Sequence, residues 1–359
     1  MRALELVAYN EFKYHDVPAP VPGSDDVLIR VHAVGICGSD VHGQDGSTGR
    51  RIPPVIMGHE AAGEVVAVGD AVTGLTPGMR VTFDSTLYCG ECFYCRRGEI
   101  NFCENRRVLG VSCDEYRQHG AFAEYVVVPA RGVYPLPDDV GYRYGAMVEP
   151  LSIAVHASEI TPHTLGDSAV VVGAGIIGLL LIQVLRAGGY GEIVSVDVDP
   201  RKLEHAVAMG ATRTVRAGTE DLAETVAAVS DGRGVRNAFD AVGIQQTVDN
   251  CVRSVRRGGQ VTIIGNFAAE VTVPLQYLVT RQITVKGSNA SAGEYPACLE
   301  LIRSGAIELD GLISAVAPLS EGAEWFRRLY RNDEGLLKVI LVPDALHETG
   351  SDDQKEVKR

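Results

Sequence analysis

The stretch Ser168-Ala169-Val170-Val171-Val172-Gly173-Ala174-Gly175-Ile176-Ile177-Gly178 passes from an unbroken apolar run into a glycine-spaced turn. An apolar run without alternation fits a strand buried on both faces, as in a parallel sheet. The apolar helical pattern that continues to about Ala187 sets the glycines at a strand–turn–helix junction. A G-x-G-x-x-G spacing alone is weak, but this context, with Asp197 about 20 positions on, makes it a dinucleotide-binding fingerprint. Gly173 permits the tight turn, Gly175 lets the backbone approach a pyrophosphate, and Gly178 allows close helix packing, while the helix N-terminus offers free N–H groups. Asp197 can accept both adenosine ribose hydroxyls and would repel a 2′-phosphate, so NAD is expected over NADP, with Arg201 and Lys202 softening the preference. The cofactor contacts expected are Gly173, Gly175, Ile176, Ile177, Gly178, Asp197, Lys202, Val242 and Ile264.

Outward from this junction the alternation persists. Strand patterns at 193–197, 237–241 and 260–265 interleave with helical patterns at 200–209 and 248–255, which reads as a doubly wound parallel sheet. Upstream, residues 1 to about 150 carry β-branched runs at 27–31, 61–68, 78–82 and 123–128, punctuated by proline, and read as a barrel-like β domain with long loops. Downstream, 295–341 holds two helical patterns and a last strand at 338–342, and the charged tail after Pro343 is expected to be disordered. A chain of 359 residues is long for a single core, so two domains are expected.

The β domain carries two groups of metal-ligand residues. Cys89, Cys92, Cys95 and Cys103 are spaced C-x2-C-x2-C-x7-C, so that one loop can wrap four thiolates around a zinc ion. A closed four-sulfur shell admits no substrate and acts as a structural staple. Cys37, His59, Glu60 and the distant Glu149 offer sulfur, nitrogen and oxygen instead, a mixed set that suits an open catalytic zinc. The net charge of −13 argues against a nucleic-acid-binding zinc ribbon. The N-terminus shows no signal sequence and the apolar run at 176–185 is too short for a membrane span, so a cytoplasmic protein without nucleic-acid or membrane partners is expected. Cys113, Cys251 and Cys298 lie in unrelated segments, which favours metal binding over a disulfide framework.

With both metal sets and the nucleotide turn placed, residues 1 to about 343 resemble the zinc-dependent medium-chain dehydrogenase family, nearest its polyol (sorbitol-type), threonine and butanediol branch. The resemblance rests on Gly35-Ile36-Cys37-Gly38-Ser39-Asp40, Gly58-His59-Glu60, the four-cysteine loop, Glu149-Pro150-Leu151-Ser152 and the nucleotide turn. It implies an α/β protein with a GroES-like β-rich catalytic domain (1–152), an inserted Rossmann NAD-binding domain (153–288), a return to the catalytic domain (289–343) and the tail (344–359). It also implies a homodimer or homotetramer with an active site between the domains.

By the same resemblance Cys37 and His59 bind the catalytic zinc, and Glu60 binds it directly or steps in and out. Glu149 stands where the polyol branch has a glutamate, as a ligand or as the holder of the metal's water. Ser39 takes the alcohol proton, a cofactor ribose hydroxyl and His42 pass it to solvent, and Asp40 orients the zinc histidine. The implied reaction is oxidation of a polyol or sugar alcohol to the ketone with hydride transfer to NAD. L-Threonine or a vicinal diol is the alternative substrate, and a non-catalytic NAD- and zinc-binding sensor the alternative class. Gly287-Ser288-Asn289-Ala290-Ser291 departs from the bulky polar pair of sorbitol-type enzymes. Arg50 and Arg51 suggest a phosphorylated substrate, since paired guanidinium forks match phosphate oxygens. Lys338 is expected to approach the pyrophosphate, and 271–275 to pair with its copy in a dimer.

Overall fold

The computed structural model describes residues 1–113, 117–332 and 334–348. The chain divides into two compact units: one holds Met1–Glu149, Ala292–Gly305 and the residues from Leu309 onward, the other Pro150–Ser291 and Ala306–Glu308.

The first unit is built on strand Asp26–Gly35, whose Val27, Ile29, Val31 and Ala33 alternate into the core with period two. Each fully buried valine or isoleucine there contributes about 1.5–3 kcal/mol. This strand pairs antiparallel with Glu60–Val68, Tyr125–Pro129 and Lys338–Val342. Its sheet runs from Val133–Pro135 through Arg80–Phe83, Glu60–Val68, Asp26–Gly35 and Lys338–Val342 to Ile313–Pro318. All five residues of the returning strand Lys338–Val342 are buried, so the last strand among the described residues is a central element of a sheet whose first strand in the chain is Asp26–Gly35.

The second unit is a six-stranded sheet in the order Arg213–Arg216, Glu192–Asp197, Ser168–Val172, Val235–Asp240, Val255–Ile263, Thr284–Gly287, with every neighbouring pair parallel. Strand order reverses between Ser168–Val172 and Val235–Asp240, the switch point at which such sheets bind nucleotides. Helix Ile176–Ala187 follows the first strand and buries Gly178 through Leu185 without a break, which explains its uniformly apolar sequence.

Two expectations change. Asp344–Glu348, read as the start of a disordered tail, forms a short helix, while 349–359 lie outside the described residues. Residues 271–274 form no strand and precede helix Leu275–Arg281, so the exposed edge of the parallel sheet is Thr284–Gly287. Among the described residues no helix is long and apolar enough to cross a membrane, and all eight cysteines are free.

Candidate active site

Strand Asp26–Gly35 ends where the metal-type residues begin. Cys37 caps helix Gly38–Gly43, its sulfur accepting the Ser39 N–H at 3.5 Å and the Ser39 hydroxyl at 3.3 Å. Gly35 lies opposite Glu60 in the antiparallel register, and a side chain at Gly35 would place its Cβ 2.2 Å from the Glu60 carboxylate. The glycine therefore makes room for the glutamate beside Cys37. The ligand atoms of Cys37, His59 and Glu60 all lie within 4.8 Å of one another. Glu149 falls outside that cluster. It sits in the first turn of helix Val148–Glu159 and accepts a hydrogen bond from Ser85 at 3.3 Å. Ser39 and His42 are exposed, and the His42 ring centroid is 6.5 Å from that of Tyr330.

Two buried cations support this cluster. Arg51 donates from Nε and Nη2 to Asp40 Oδ1 at 2.9 and 2.8 Å, and Asp40 Oδ2 stands 3.4 Å from His59 Nδ1. Lys338 Nζ donates to Glu60 Oε2 at 2.5 Å and to the Ile36 carbonyl at 3.1 Å. Burial, reinforced by the Glu60 charge, pushes the Cys37 thiol up to about 12. Burial likewise raises the Glu149 carboxyl to about 8, with His59 opposing and Glu60 and Cys37 adding to the rise. Groups that strain against ionisation in this way gain most from a divalent cation, which favours their charged forms. The donor set thus fits a zinc ion.

The second group is equally compact: the sulfurs of Cys89, Cys92, Cys95 and Cys103 lie within 4.8 Å of one another. Backbone N–H groups point at them, Cys89 N at Cys103 Sγ (3.2 Å) and Cys92 N at Cys89 Sγ (3.4 Å). Backbone donation, first from Glu91, holds the Cys89 thiol down at about 6, in the thiolate form that a metal needs. Short 3-10 turns, Cys95–Arg97 and Ile100–Phe102, fold the loop between the third and fourth sulfurs.

In the parallel unit, Gly173 adopts φ +97° against Val242, Gly175 precedes helix Ile176–Ala187, and Ile176 and Ile177 open it half-buried. A Cβ on Gly178 would stand 1.8 Å from the Gly173 carbonyl oxygen, so close packing demands glycine. Gly178→Ala is expected to push the helix off the turn, weaken binding of a nicotinamide dinucleotide at least tenfold and cost about 1–3 kcal/mol of stability, read by calorimetric titration and melting. Asp197 Oδ2 accepts from Ala174 N at 2.7 Å and Oδ1 from Asp199 N at 2.9 Å, tying the second strand to the turn. Lys202 is half-buried on helix Pro200–Ala208, and Arg201 is engaged by Asp199 at 2.8 Å. Ile264 N donates to the Asp240 carbonyl at 2.8 Å, and Val242 N donates to the same residue's carboxylate. A groove of about 1120 Å³ opens on this unit, with Val196, Val198, Ala217, Gly218 and Gln246 among its walls.

Two expectations fail here. Lys338 is buried against Glu60 and Ile36, so its charge faces the Cys37, His59 and Glu60 cluster. The arginine pair is split: Arg50 is exposed, whereas Arg51 is buried and its guanidinium is committed to Asp40 and Ser39. Sequence reading also missed Asp240, which is buried and accepts from Val242 N, Gly243 N and Thr247 Oγ1 at 2.9, 3.0 and 2.8 Å. An acid at the C-terminal end of a buried strand, with a glycine three residues on at Gly243, was the available signal.

A cluster of sulfur, nitrogen and carboxylate donors that fits a metal ion in the β-rich unit, together with a dinucleotide-type turn on the parallel sheet of the other unit, is the combination of a metal-dependent oxidoreductase that uses a nicotinamide nucleotide. Residues 23–138 match the family model for the alcohol dehydrogenase GroES-like domain, and 177–304 that for zinc-binding dehydrogenase. The chain belongs to the zinc-dependent medium-chain alcohol dehydrogenase family, in its polyol dehydrogenase branch. It is 32% identical over 349 residues to sorbitol dehydrogenase of Bacillus subtilis (strain 168), covering 96% of this chain and 98% of that one. It is 34% identical to D-arabitol-phosphate dehydrogenase of Enterococcus avium, over 93% and 94% of the two chains. Among solved structures it resembles alcohol dehydrogenase TADH from Thermus sp. ATN1, with a TM-score of 0.90, 31% identity and coverage of 96% and 100%.

Proposed function

We propose that this chain oxidises a secondary alcohol of a polyol or sugar alcohol to the ketone, with NAD as hydride acceptor. The observation that carries this reading is the Cys37, His59 and Glu60 cluster with the exposed Ser39 hydroxyl 3.3 Å from the cysteine sulfur. Cys37, His59 and Glu60 would hold a zinc ion, with Glu149 as a further carboxylate near them, and the bound ion supplies a Lewis acid that lowers the pKa of an alcohol. Ser39 is placed to accept the alcohol's proton while giving up its own. His42, three residues on and exposed, lies on the same side of the helix and can release a proton to solvent. Cys89, Cys92, Cys95 and Cys103 would hold a second, structural zinc. The nucleotide turn would bind the pyrophosphate of NAD, Asp197 the adenosine ribose, and the groove flanking Asp197 the adenine. Domain boundaries near 152, 288 and 343 remain part of this reading.

A phosphorylated polyol is the second reading. The D-arabitol-phosphate dehydrogenase relative favours it, but Arg51 is already committed, which leaves Arg50 as the phosphate partner. The test is NADH formation by zinc-loaded protein on sugar alcohols, their phosphates, vicinal diols and L-threonine, with chelator and NADP controls. Activity confined to polyols and lost to chelator supports the reading. Silence across the panel, with zinc content and NAD binding verified, rejects it.

A homodimer through the parallel-sheet unit belongs to the same proposal. Strand Thr284–Gly287 is an exposed edge carrying Val285, and Val273, Leu275 and Val279 nearby in sequence are also exposed. A bare apolar edge is a template for pairing with a second copy. Val285→Lys is expected to shift the protein to monomers in sedimentation, and an unchanged dimer would reject this edge.

A further inference from the structure

Arg51 follows directly on the exposed Arg50, yet it is 3% exposed and all of its hydrogen bonds run toward the metal cluster. Its Nε and Nη2 both reach Asp40 Oδ1, at 2.9 and 2.8 Å, and the same Nη2 stands 3.3 Å from Ser39 Oγ. Gly43 makes this possible, because a Cβ there would lie 2.6 Å from Arg51 Cγ. The helix that carries Ser39 and Asp40 is thus shaped around the arginine stem.

We propose that Arg51 is a positioning residue for alcohol oxidation, setting the Ser39 hydroxyl and the Asp40 carboxylate together from one guanidinium. This inference rests on the proton role given to Ser39 above. A guanidinium only donates, so its contact with Ser39 Oγ occupies an oxygen lone pair and turns the serine hydrogen away from Arg51. The hydroxyl is then held between a cation that donates to it and the Cys37 sulfur that accepts from it at 3.3 Å. On its other side the fork fixes Asp40 Oδ1, which leaves Oδ2 facing His59 Nδ1 at 3.4 Å and sets the orientation of that imidazole. A lysine at this position would place one point charge where the fork reaches two acceptors.

The experiment compares Arg51→Lys, Ser39→Ala and the double variant, prepared with saturating zinc and checked for folding by melting temperature. Two quantities are read: the rate of zinc release to a chelator, and kcat and KM on the best substrate of the panel. Carboxylates that orient metal-bound histidines contribute roughly ten- to a hundredfold to metal affinity. Arg51→Lys is therefore expected to release one zinc per chain about tenfold faster, the other serving as an internal control. It should also lower kcat about tenfold with KM within twofold. In the Ser39→Ala background the same substitution should lower kcat by clearly less than tenfold, keeping only the share that runs through Asp40 and His59, while still speeding zinc release. Unchanged zinc release and kcat in Arg51→Lys, or kcat losses that multiply in the double variant, overturn the proposal. If Ser39→Ala alone leaves kcat intact, the proton role of Ser39 fails, and the proposal built on it falls at that identifiable step.

Discussion

If the proposed zinc assignment holds, Cys37→Ala is expected to lower kcat/KM about a thousandfold or more and to remove one zinc ion per chain while leaving the ion of the four-cysteine loop. The substitution removes the sulfur from a cluster whose other potential metal ligands are His59 and Glu60. A Lewis acid at the reacting oxygen is worth several kcal/mol, and each 1.36 kcal/mol is a factor of ten in rate. Little of the loss should come from folding. Cys37 caps a six-residue helix through a long N–H···S contact of 3.5 Å, and losing such a cap costs about 1 kcal/mol. Metal analysis, melting temperature and kinetics on one preparation separate the contributions. Retained activity with one zinc would show that the catalytic ion lies elsewhere, and loss of both ions would show that the two groups do not bind independently.

The legible parts of this chain were those whose physics is local. Strand Ser168–Val172, its glycine turn and helix Ile176–Ala187 could be read to within a residue or two because burial on both strand faces and close backbone approach leave residue-level marks. The four-cysteine loop was legible for the same reason, since all its ligands fall within 15 residues of chain. Strands Arg213–Arg216 and Thr284–Gly287 went unread, because the first buries only Val215 and the second is exposed throughout, so neither carries an apolar pattern. The split fate of Arg50 and Arg51 was hidden because it depends on the space left by Gly43, a tertiary fact with no periodicity of its own. Lys338 was misread for a topological reason. It is 278 positions from Glu60, and the two meet only because strand Lys338–Val342 and strand Glu60–Val68 flank Asp26–Gly35, with Ile340 and Glu60 both opposite Gly35.

That meeting gives Lys338→Met a large expected effect. Lys338 and Glu60 are each 1% exposed at the side chain and 2.5 Å apart, and the ammonium also satisfies the Ile36 carbonyl. Burial alone would pull the lysine pKa down. The Glu60 carboxylate against it outweighs burial and holds the ammonium above its ordinary value, so the lysine stays charged at neutral pH. Methionine keeps most of the stem's volume and removes the charge, which strands a buried carboxylate. Breaking one side of such a pair costs about 3–5 kcal/mol, which in a unit of this size lowers the melting temperature by roughly 10 °C. The loss should be greatest in the zinc-free protein, where nothing else compensates Glu60, and smaller with zinc bound, because the ion supplies the missing positive charge. Adding Glu60→Gln should recover part of the zinc-free loss, since the amide needs hydrogen bonds but no counter-charge. A Lys338→Met protein that melts like the parent in both states, or a double variant less stable than either single one, would mean that the pair is not the electrostatic support of this cluster.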